Sequence, residues 1–249
     1  MPAELRTLYG GPFGLDEPCV VANFVQTIDG VVSIPELPRS NALIAGGSEA
    51  DHFVMGLLRA CADVVLVGSG TMRASPKGTW LPERVYPPAA DAFAELRRRR
   101  GRPEQPTVAF VTAGGSFDPT HPALERHALV LTTAAAAARL RASVPRSSEV
   151  LAVNDGDQVD LGLAVARLRE RGHTAILSEG GPTVFGSLLA SGAVDELFLT
   201  ISPLLAGRGF LSRLSLVEGL ELLPGATVDA HLLSARRHEQ HLFLRYRLS

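Results

Sequence analysis

The sequence has little of several features that would assign it to a special class of protein. Its two cysteines, Cys19 and Cys61, lie beside apolar residues, so we predict reduced core residues and no disulfide framework. A formal net charge of −2 creates no field that attracts nucleic acid. No apolar run approaches the roughly eighteen residues of a membrane span, and no basic segment precedes an apolar one at the N-terminus. We therefore expect a cytoplasmic protein with no nucleic-acid or membrane partner.

The composition indicates an ordinary globular protein. Hydrophobic residues make up 46% of the 249 residues, and charged residues 20%, which allows a sizeable core. We expect one domain over residues 1–249, with an N-terminal extension at 1–17. The one run of like charge is Arg97 to Arg100. Because Gly101 follows it in the place of a helix C-cap, we interpret this run as a solvated helix end.

Short apolar strands alternate with helices along most of the chain. Strands are predicted at 19–26 and 64–67, on either side of a helix over 49–62 that begins at the capping box Ser48-Glu49-Ala50-Asp51. The alternation continues from 108 to 177. This pattern predicts an α/β fold with a mixed, mostly parallel sheet flanked by helices.

Two further segments depart from this alternation. The proline-rich segment 75–106 is predicted as a long loop with one short helix that ends in the arginine run. The alternating segments 227–233 and 242–248 are joined by a charged turn at 236–239. Strands with so short a link are antiparallel, so we predict a C-terminal antiparallel hairpin at the edge of the sheet.

Two glycine bends follow predicted strands and precede helices. They are Gly68-Ser69-Gly70-Thr71 and Glu179-Gly180-Gly181-Pro182-Thr183. A helix that starts on small residues presents free backbone N–H groups, which bind phosphate. Either bend alone is equally compatible with an ordinary strand-to-helix turn, and neither is a Rossmann fingerprint. Two such bends at strand ends favour one elongated, doubly phosphorylated ligand such as a dinucleotide.

Several polar residues interrupt apolar elements. Asn23, Thr27 and Asp29 occupy alternate positions along the first strand and its turn, so their side chains can share one face. Asn23 needs a polar partner, and a ligand is one possibility. Asp29 is either a turn residue bonded to its own backbone or a ligand contact. Arg59 is the polar position of an apolar helix and is either solvated or directed at a ligand.

The sequence lacks the residue patterns that several other kinds of active site require. The histidines form no metal-ligand set with nearby Cys, Asp or Glu, and there is no Cys-x-x-Cys pair. There is no Gly-x-Ser-x-Gly nucleophile motif and no zinc deaminase signature. We therefore expect no metal site.

Taken in order, the motifs resemble the pyrimidine reductases of riboflavin biosynthesis. These are Asn23-x3-Thr27-x-Asp29-Gly30, Leu58-Arg59-Ala60, the two glycine bends and Val194-Asp195-Glu196-Leu197. The resemblance implies a dihydrofolate-reductase-like fold, a homodimer, NADPH as cofactor, and reduction of the ribosyl group of a ribosylaminopyrimidine 5′-phosphate to ribityl. By position, the dinucleotide would contact Gly68, Ser69, Gly70, Thr71, Glu179, Gly180, Gly181, Pro182 and Thr183. The phosphorylated heterocycle would contact Asn23, Thr27, Asp29, Arg59 and Ser75.

Two departures from the family pattern leave questions open. Ser75 stands where an acidic residue is usual, which keeps a dihydrofolate or pterin reductase on the same fold as an alternative. The segment 111–116 carries no cation for a 2′-phosphate, so NADH is an alternative to NADPH. Asp29 is the candidate for proton delivery or for gripping the substrate. A nucleotide-binding protein without catalysis is the remaining alternative.

Overall fold

One nine-stranded sheet organises the computed structural model, which describes residues 1–37, 39–114 and 118–249. The strands are β1 Cys19–Gln26, β2 Val64–Gly68, β3 Thr107–Val111, β4 Leu129–Thr133, β5 Glu149–Asn154, β6 Ala175–Ser178, β7 Glu196–Ile201, β8 Ala230–His238 and β9 His241–Leu248. Their order is β5-β4-β3-β2-β6-β1-β7-β9-β8. The strands from β5 to β7 in this order pair in parallel, and β9 pairs antiparallel with both β7 and β8. The predicted mixed sheet with a C-terminal hairpin is confirmed.

Helices cover both faces of the sheet. They are α1 Ala3–Tyr9, α2 Ser40–Ala45, α3 Glu49–Cys61, α4 Ser69–Ala74, α5 Pro82–Val85, α6 Ala90–Arg99, α7 Ala134–Ser143, α8 Leu161–Glu170 and α9 Pro182–Ala190. Short 3-10 helices lie at Pro87–Ala89 and Pro122–Glu125. None of the helices in the described ranges has both the length and the apolar character needed to cross a membrane.

The central strand β2 shows why the sequence has short apolar runs without alternation. All five of its residues are buried. Val65 and Val67 pack on one side of the sheet with Leu58 of α3, and Val64 and Leu66 pack on the other side with residues of α8 and α9. A parallel strand covered on both faces has no position for a polar side chain.

The two cysteines lie inside this core, as predicted. Cys19 and Cys61 are buried and free. Burial raises the pKa of the Cys19 thiol to about 12 and also raises the pKa of Cys61, so neither thiol ionises near neutral pH.

Segment 75–106 contains the predicted helix that ends in the arginine run, α6, and more helical structure than predicted, namely α5 and one 3-10 helix. Helix α6 and the 3-10 helix form a third apolar cluster with α1 and the outer side of α3. The prolines begin helices instead of preventing them, because a first-turn N–H has no intrahelical acceptor to lose. The charged turn is also shorter than predicted: β8 continues through His238, and the chain reverses at 239–240.

The interpretation of the arginine run as solvated is wrong for its first member. Arg97 is 1% exposed, and its guanidinium donates to the backbone carbonyls of Ala62 at 2.7 Å and Pro103 at 2.8 Å. It also donates, at 3.3 Å, to the carbonyls of Arg59 and Ala60 in the last turn of α3. Arg98, by contrast, is exposed and pairs with Glu95 on the surface. Arg97 thus caps α3 from a neighbouring helix.

We predict that Arg97→Met lowers the free energy of unfolding by about 2–4 kcal/mol, because several buried carbonyl groups lose their donor. The matched variant Arg98→Met removes a surface ion pair and should change this free energy by less than about 0.5 kcal/mol. Urea unfolding followed by circular dichroism measures both. Equal stability of the two variants would contradict the capping role of Arg97.

Candidate functional site

The two glycine bends lie side by side at one edge of the sheet. Strands β2 and β6 are parallel neighbours, with Leu66 opposite Ser178, so both chains leave the sheet at the same end. The Oγ1 atom of Thr71 in the first bend lies 3.7 Å from the point that a Cβ atom on Gly181 would occupy. The bends therefore form one continuous cradle at the carboxyl ends of the two strands.

Two different physical reasons explain why glycine occupies these positions of the cradle. A Cβ atom on Gly68 or Gly180 would lie 2.9 Å or 2.5 Å from the side chain of Val184, so these two glycines allow α9 to pack closely on the sheet. At Gly70 and Gly181 the nearest atoms are 3.9 Å and 3.7 Å away. Packing thus explains the first pair, whereas the second pair keeps the cradle free of side chains.

The N-terminus of α9 contributes hydrogen-bond donors to the cradle. Gly181 is the N-cap and has no side chain to cap the helix, and Pro182 occupies the first turn. The geometry of an α-helix leaves the first backbone N–H groups, here those of Thr183 and Val184, without intrahelical acceptors. Together with the positive end of the helix dipole, these groups make the cradle suitable for a diphosphate.

A buried ion pair adjoins the second bend. Arg59 donates to the two carboxylate oxygens of Glu179 at 2.8 and 2.6 Å, and the two side chains are 10% and 9% exposed. The alternative of a solvated Arg59 is therefore wrong. The Glu179 side chain is directed at α3, so the pair joins α3 to the end of β6. Glu179, predicted among the dinucleotide contacts, has its carboxylate engaged in this pair.

We predict that Glu179→Gln lowers the free energy of unfolding by about 3 kcal/mol, because it leaves the buried Arg59 guanidinium without a counter-charge. The control is Glu170→Gln, which breaks the exposed pair with Arg167 and should cost less than about 0.5 kcal/mol. Chemical unfolding at pH 7 compares them. A loss no larger than that of the control would show that the pair does not stabilise the fold.

Asn23 faces the same side of the sheet as this ion pair. It follows Ala22, which lies opposite Ser178 in β6, so Asn23 and Glu179 are the next residues along two adjacent strands. Val21, two positions earlier on the same face, packs in one cluster with Leu58 of α3. The half-buried amide of Asn23 forms no hydrogen bond with any of the described residues, which leaves it available to a ligand.

Thr27 and Asp29 have their polar atoms engaged within the protein. The Thr27 hydroxyl donates to Asp29 at 2.5 Å, and the carboxylate also accepts from the N–H groups of Ala206 at 3.0 Å and Gly207 at 2.7 Å. These hydrogen bonds, that of Thr27 foremost, lower the pKa of Asp29 to about 2. Asp29 therefore holds no proton near neutral pH, which argues against proton delivery. It joins the turn after β1 to the loop after β7.

Ser75 lies just after α4, in a segment anchored to the layer around β3. Its carbonyl accepts from the N–H of Gly78 at 2.8 Å and lies 2.9 Å from Nε2 of the buried His121. His121 Nδ1 accepts from the N–H of Ala123, so Nε2 carries the proton and donates to Ser75. This hydrogen bond anchors the C-terminal end of α4, the helix that begins within the first bend.

Cations reach the neighbouring strand ends from helices. The segment 111–116 has no lysine or arginine of its own, and its residues 115 and 116 lie outside the described ranges. Arg139 of α7 donates to the Gly114 carbonyl, and the Arg73 guanidinium lies 3.9 Å from the Cβ position of Gly70. Arg73 therefore lies beside the cradle, whereas Arg139 lies beside the segment that follows β3.

Asp51 is a buried polar residue of α3 that the sequence reasoning missed. The backbone N–H of Asp51 donates to the Ser48 hydroxyl at 3.3 Å, as the capping box predicts. The Asp51 side chain, however, points into the interior, and the residue is only 5% exposed. Burial raises the pKa of Asp51, while a hydrogen bond with Thr200 of β7 acts in the opposite direction. The available signal was its position two helical turns before Leu58, on the buried face of α3.

Comparison with known proteins gives one family and several relatives. The model of the RibD C-terminal domain family matches residues 18–224. The 2,5-diamino-6-ribosylamino-4(3H)-pyrimidinone 5′-phosphate reductase of Archaeoglobus fulgidus is 27% identical over 195 residues, covering 76% of this chain and 82% of the relative. The protein of the same name from Methanothermobacter thermautotrophicus is 25% identical over 211 residues, covering 84% and 88%. A pyrimidine reductase-like protein from Corynebacterium diphtheriae has a TM-score of 0.73 at 21% identity, covering 98% of both chains.

Proposed function

Because this chain belongs to the RibD C-terminal domain family, we propose that it is a riboflavin-biosynthesis reductase that acts on a ribosylaminopyrimidine 5′-phosphate. This reaction reduces the ribosyl group to ribityl, which requires a hydride at the ribosyl carbon and a proton at the atom that receives the released electron pair; NADPH would supply the hydride and leave as NADP⁺. The names of the two archaeal relatives support the substrate class. The observation that carries the proposal is the single cradle formed by the two glycine bends.

The dinucleotide would lie across this cradle. Gly70 and Gly181 leave room for its diphosphate, the N–H groups at the start of α9 would donate to phosphate oxygens, and Thr71 would line the groove between the bends. The bound cofactor supplies the hydride, and the protein supplies position and charge. The remaining residues of the two bends, Ser69 among them, complete the proposed contact surface.

We infer that NADPH is preferred to NADH. Arg73 lies beside the cradle and Arg139 lies beside the segment that follows the neighbouring strand β3, and either arginine would suit the additional 2′-phosphate of NADPH. Arginine binds phosphate oxygens through paired N–H donors, which makes it more selective for phosphate than a point charge.

The substrate residues differ in their proposed roles. Asn23 would donate to the heterocycle or the sugar directly, because its amide forms no hydrogen bond with the residues that the structure describes. Arg59 would act as a positioning residue, because its guanidinium is occupied by Glu179. Thr27 and Asp29 would hold the loop beside the site, and solvent would supply the proton. Ser75 would line the groove through its hydroxyl.

We predict that Thr71→Glu weakens NADPH binding by at least about 100-fold, because it places a carboxylate against the diphosphate. The control is Thr227→Glu, at an exposed position outside the cradle, which should leave the dissociation constant unchanged. Titration followed by nicotinamide fluorescence measures both variants, with NADPH and NADH in parallel. Unchanged binding by Thr71→Glu would exclude the cradle as the cofactor site.

Turnover with two substrates separates the reductase proposal from its alternatives. NADPH oxidation by the ribosylaminopyrimidine phosphate, and not by dihydrofolate, would support the riboflavin reductase. The reverse preference would assign a pterin reductase, the alternative that Ser75 left open. Tight NADPH binding without oxidation by either compound would indicate a nucleotide-binding protein.

The proposed homodimer would form through the C-terminal part of the chain. Most of the exposed large hydrophobic residues lie between 204 and 242, namely Leu204, Leu205, Phe210, Leu211, Leu223, Leu232, Leu233 and Leu242. A concentration of exposed apolar side chains in one region is typical of a protein interface. Strand β8, which carries part of this set, is also the edge of the sheet. We retain the cytoplasm as the proposed location.

We predict that Leu232→Glu converts the dimer to a monomer, because the charge would be buried without a partner. Leu232 is 56% exposed; Leu163 on α8 is 47% exposed and lies outside this region, so Leu163→Glu is the control and should remain dimeric. Sedimentation velocity gives the mass of each. A monomeric parent protein, or a dimeric Leu232→Glu variant, would contradict the proposed interface.

A further inference from the structure

A groove of about 430 Å³ lies at the opposite edge of the sheet from the glycine cradle. Two of its lining residues precede strands: Gln105 comes shortly before β3, and Arg126 comes shortly before β4. Because β3 and β4 run parallel with β2, the groove lies where these strands begin, whereas the cradle lies where β2 ends. A strand as short as β3 spans roughly 17 Å, so the groove and the cradle are separate sites.

The polar lining of the groove carries more positive than negative charge. It consists of Glu83, Arg84, Gln105 and Arg126. Arg126 Nη1 donates to Gln105 Oε1 at 2.8 Å, and Gln105 Nε2 donates to Glu83 Oε1 at 3.2 Å, which connects three separate segments. Arg84 and Arg126 are exposed, and neither forms an ion pair within the described ranges. Two guanidinium groups therefore stand against one carboxylate that already accepts a hydrogen bond.

The remaining lining of the groove is apolar. It is formed by Leu81, Pro87 and Ala90, of which Leu81 is only 3% exposed. Sites for small organic molecules have this composition, a mostly apolar wall with a few polar groups that fix orientation, and volumes of about 300–1,000 Å³. A ligand that fits both parts of the lining has an apolar body and an anionic group.

The walls of the groove are fixed by buried contacts. Arg97 donates to the carbonyl of Pro103 at 2.8 Å and so anchors the segment that leads to β3. Helix α5 lies close to α3, since a Cβ atom on Gly56 would lie 3.3 Å from the carbonyl oxygen of Pro82. The 3-10 helix before β4 is anchored by Leu124, which is completely buried. A ligand therefore has little of this surface to order when it binds.

We propose that this groove binds an organic phosphate monoester, with its phosphate on Arg84 and Arg126 and its apolar body against Leu81, Pro87 and Ala90. Arginine presents paired N–H donors to phosphate oxygens, and two guanidinium groups match the charge of a monoester, about −2 at neutral pH. The proposal does not depend on the reductase reaction, because these residues belong neither to the cradle nor to the proposed substrate contacts.

The test uses phenyl phosphate as the probe, with inorganic phosphate and phenol as its two halves. Calorimetric titration of the full chain should give a dissociation constant of about 1 mM or lower for phenyl phosphate, and binding at least about 10-fold weaker for either half. The affinity should be the same with and without saturating NADPH, because the groove and the cradle are separate. Inorganic phosphate that binds as tightly as phenyl phosphate would refute recognition of an apolar body.

Charge reversal locates the probe on the protein. Arg126→Glu should weaken phenyl phosphate binding at least about 10-fold, because a carboxylate would repel the phosphate. The matched control is Arg141→Glu, which makes the same charge change at an exposed position of α7 outside the groove and should bind as the parent does. Arg84→Glu is a second variant with the same expected loss, and circular dichroism checks that all three variants are folded.

Three results would overturn the proposal. The first is no binding of phenyl phosphate by the parent protein at about 10 mM. The second is unchanged binding by both Arg126→Glu and Arg84→Glu, which would place the probe elsewhere on the protein. The third is displacement of the probe by NADPH, which would place it in the cradle. None of these results bears on turnover, so the reductase proposal is tested independently.

Discussion

The parallel pairing of β2 with β6 is the constraint on which the site depends. It makes two glycine bends, more than a hundred residues apart in the chain, leave the sheet at the same edge and in contact. Val184 then packs against both bends, which is possible only because Gly68 and Gly180 have no side chains. The same arrangement directs the start of α9 at the space between them. Sheet order, helix packing and phosphate-binding capacity thus have one common cause.

Buried polar groups are concentrated on the α3 side of this edge. Arg59 and Glu179 neutralise each other, burial raises the pKa of Asp51, and Asn23 forms no hydrogen bond with the described residues. Desolvating such groups opposes folding, so they are stabilised only where a partner or a ligand satisfies them. The surrounding apolar layers, formed by β2 and the helices on both faces, hold these groups in position.

Residue patterns were informative where a local rule decides the outcome. The strand at 19–26 and the helix after Ser48 follow from short-range periodicity and capping and lie where predicted, and the C-terminal hairpin is present with its first strand shifted to Ala230–His238. For 75–106 the patterns predicted too little helix, because prolines there begin α5 and a 3-10 helix instead of preventing them. They misled again for Arg97, because the carbonyl groups that it binds belong to another helix.

By itself the sequence determined the α/β class, the presence of two phosphate-compatible bends and the motif order of the family, since these depend on neighbours along the chain. Only the tertiary structure decided that the bends meet, that Arg59 pairs with Glu179, that Asp29 is engaged in the loop after β7, and that Asp51 faces inward. Each of these is a contact between distant segments, and its energy depends on burial and strand order. Neither quantity can be read from local spacing.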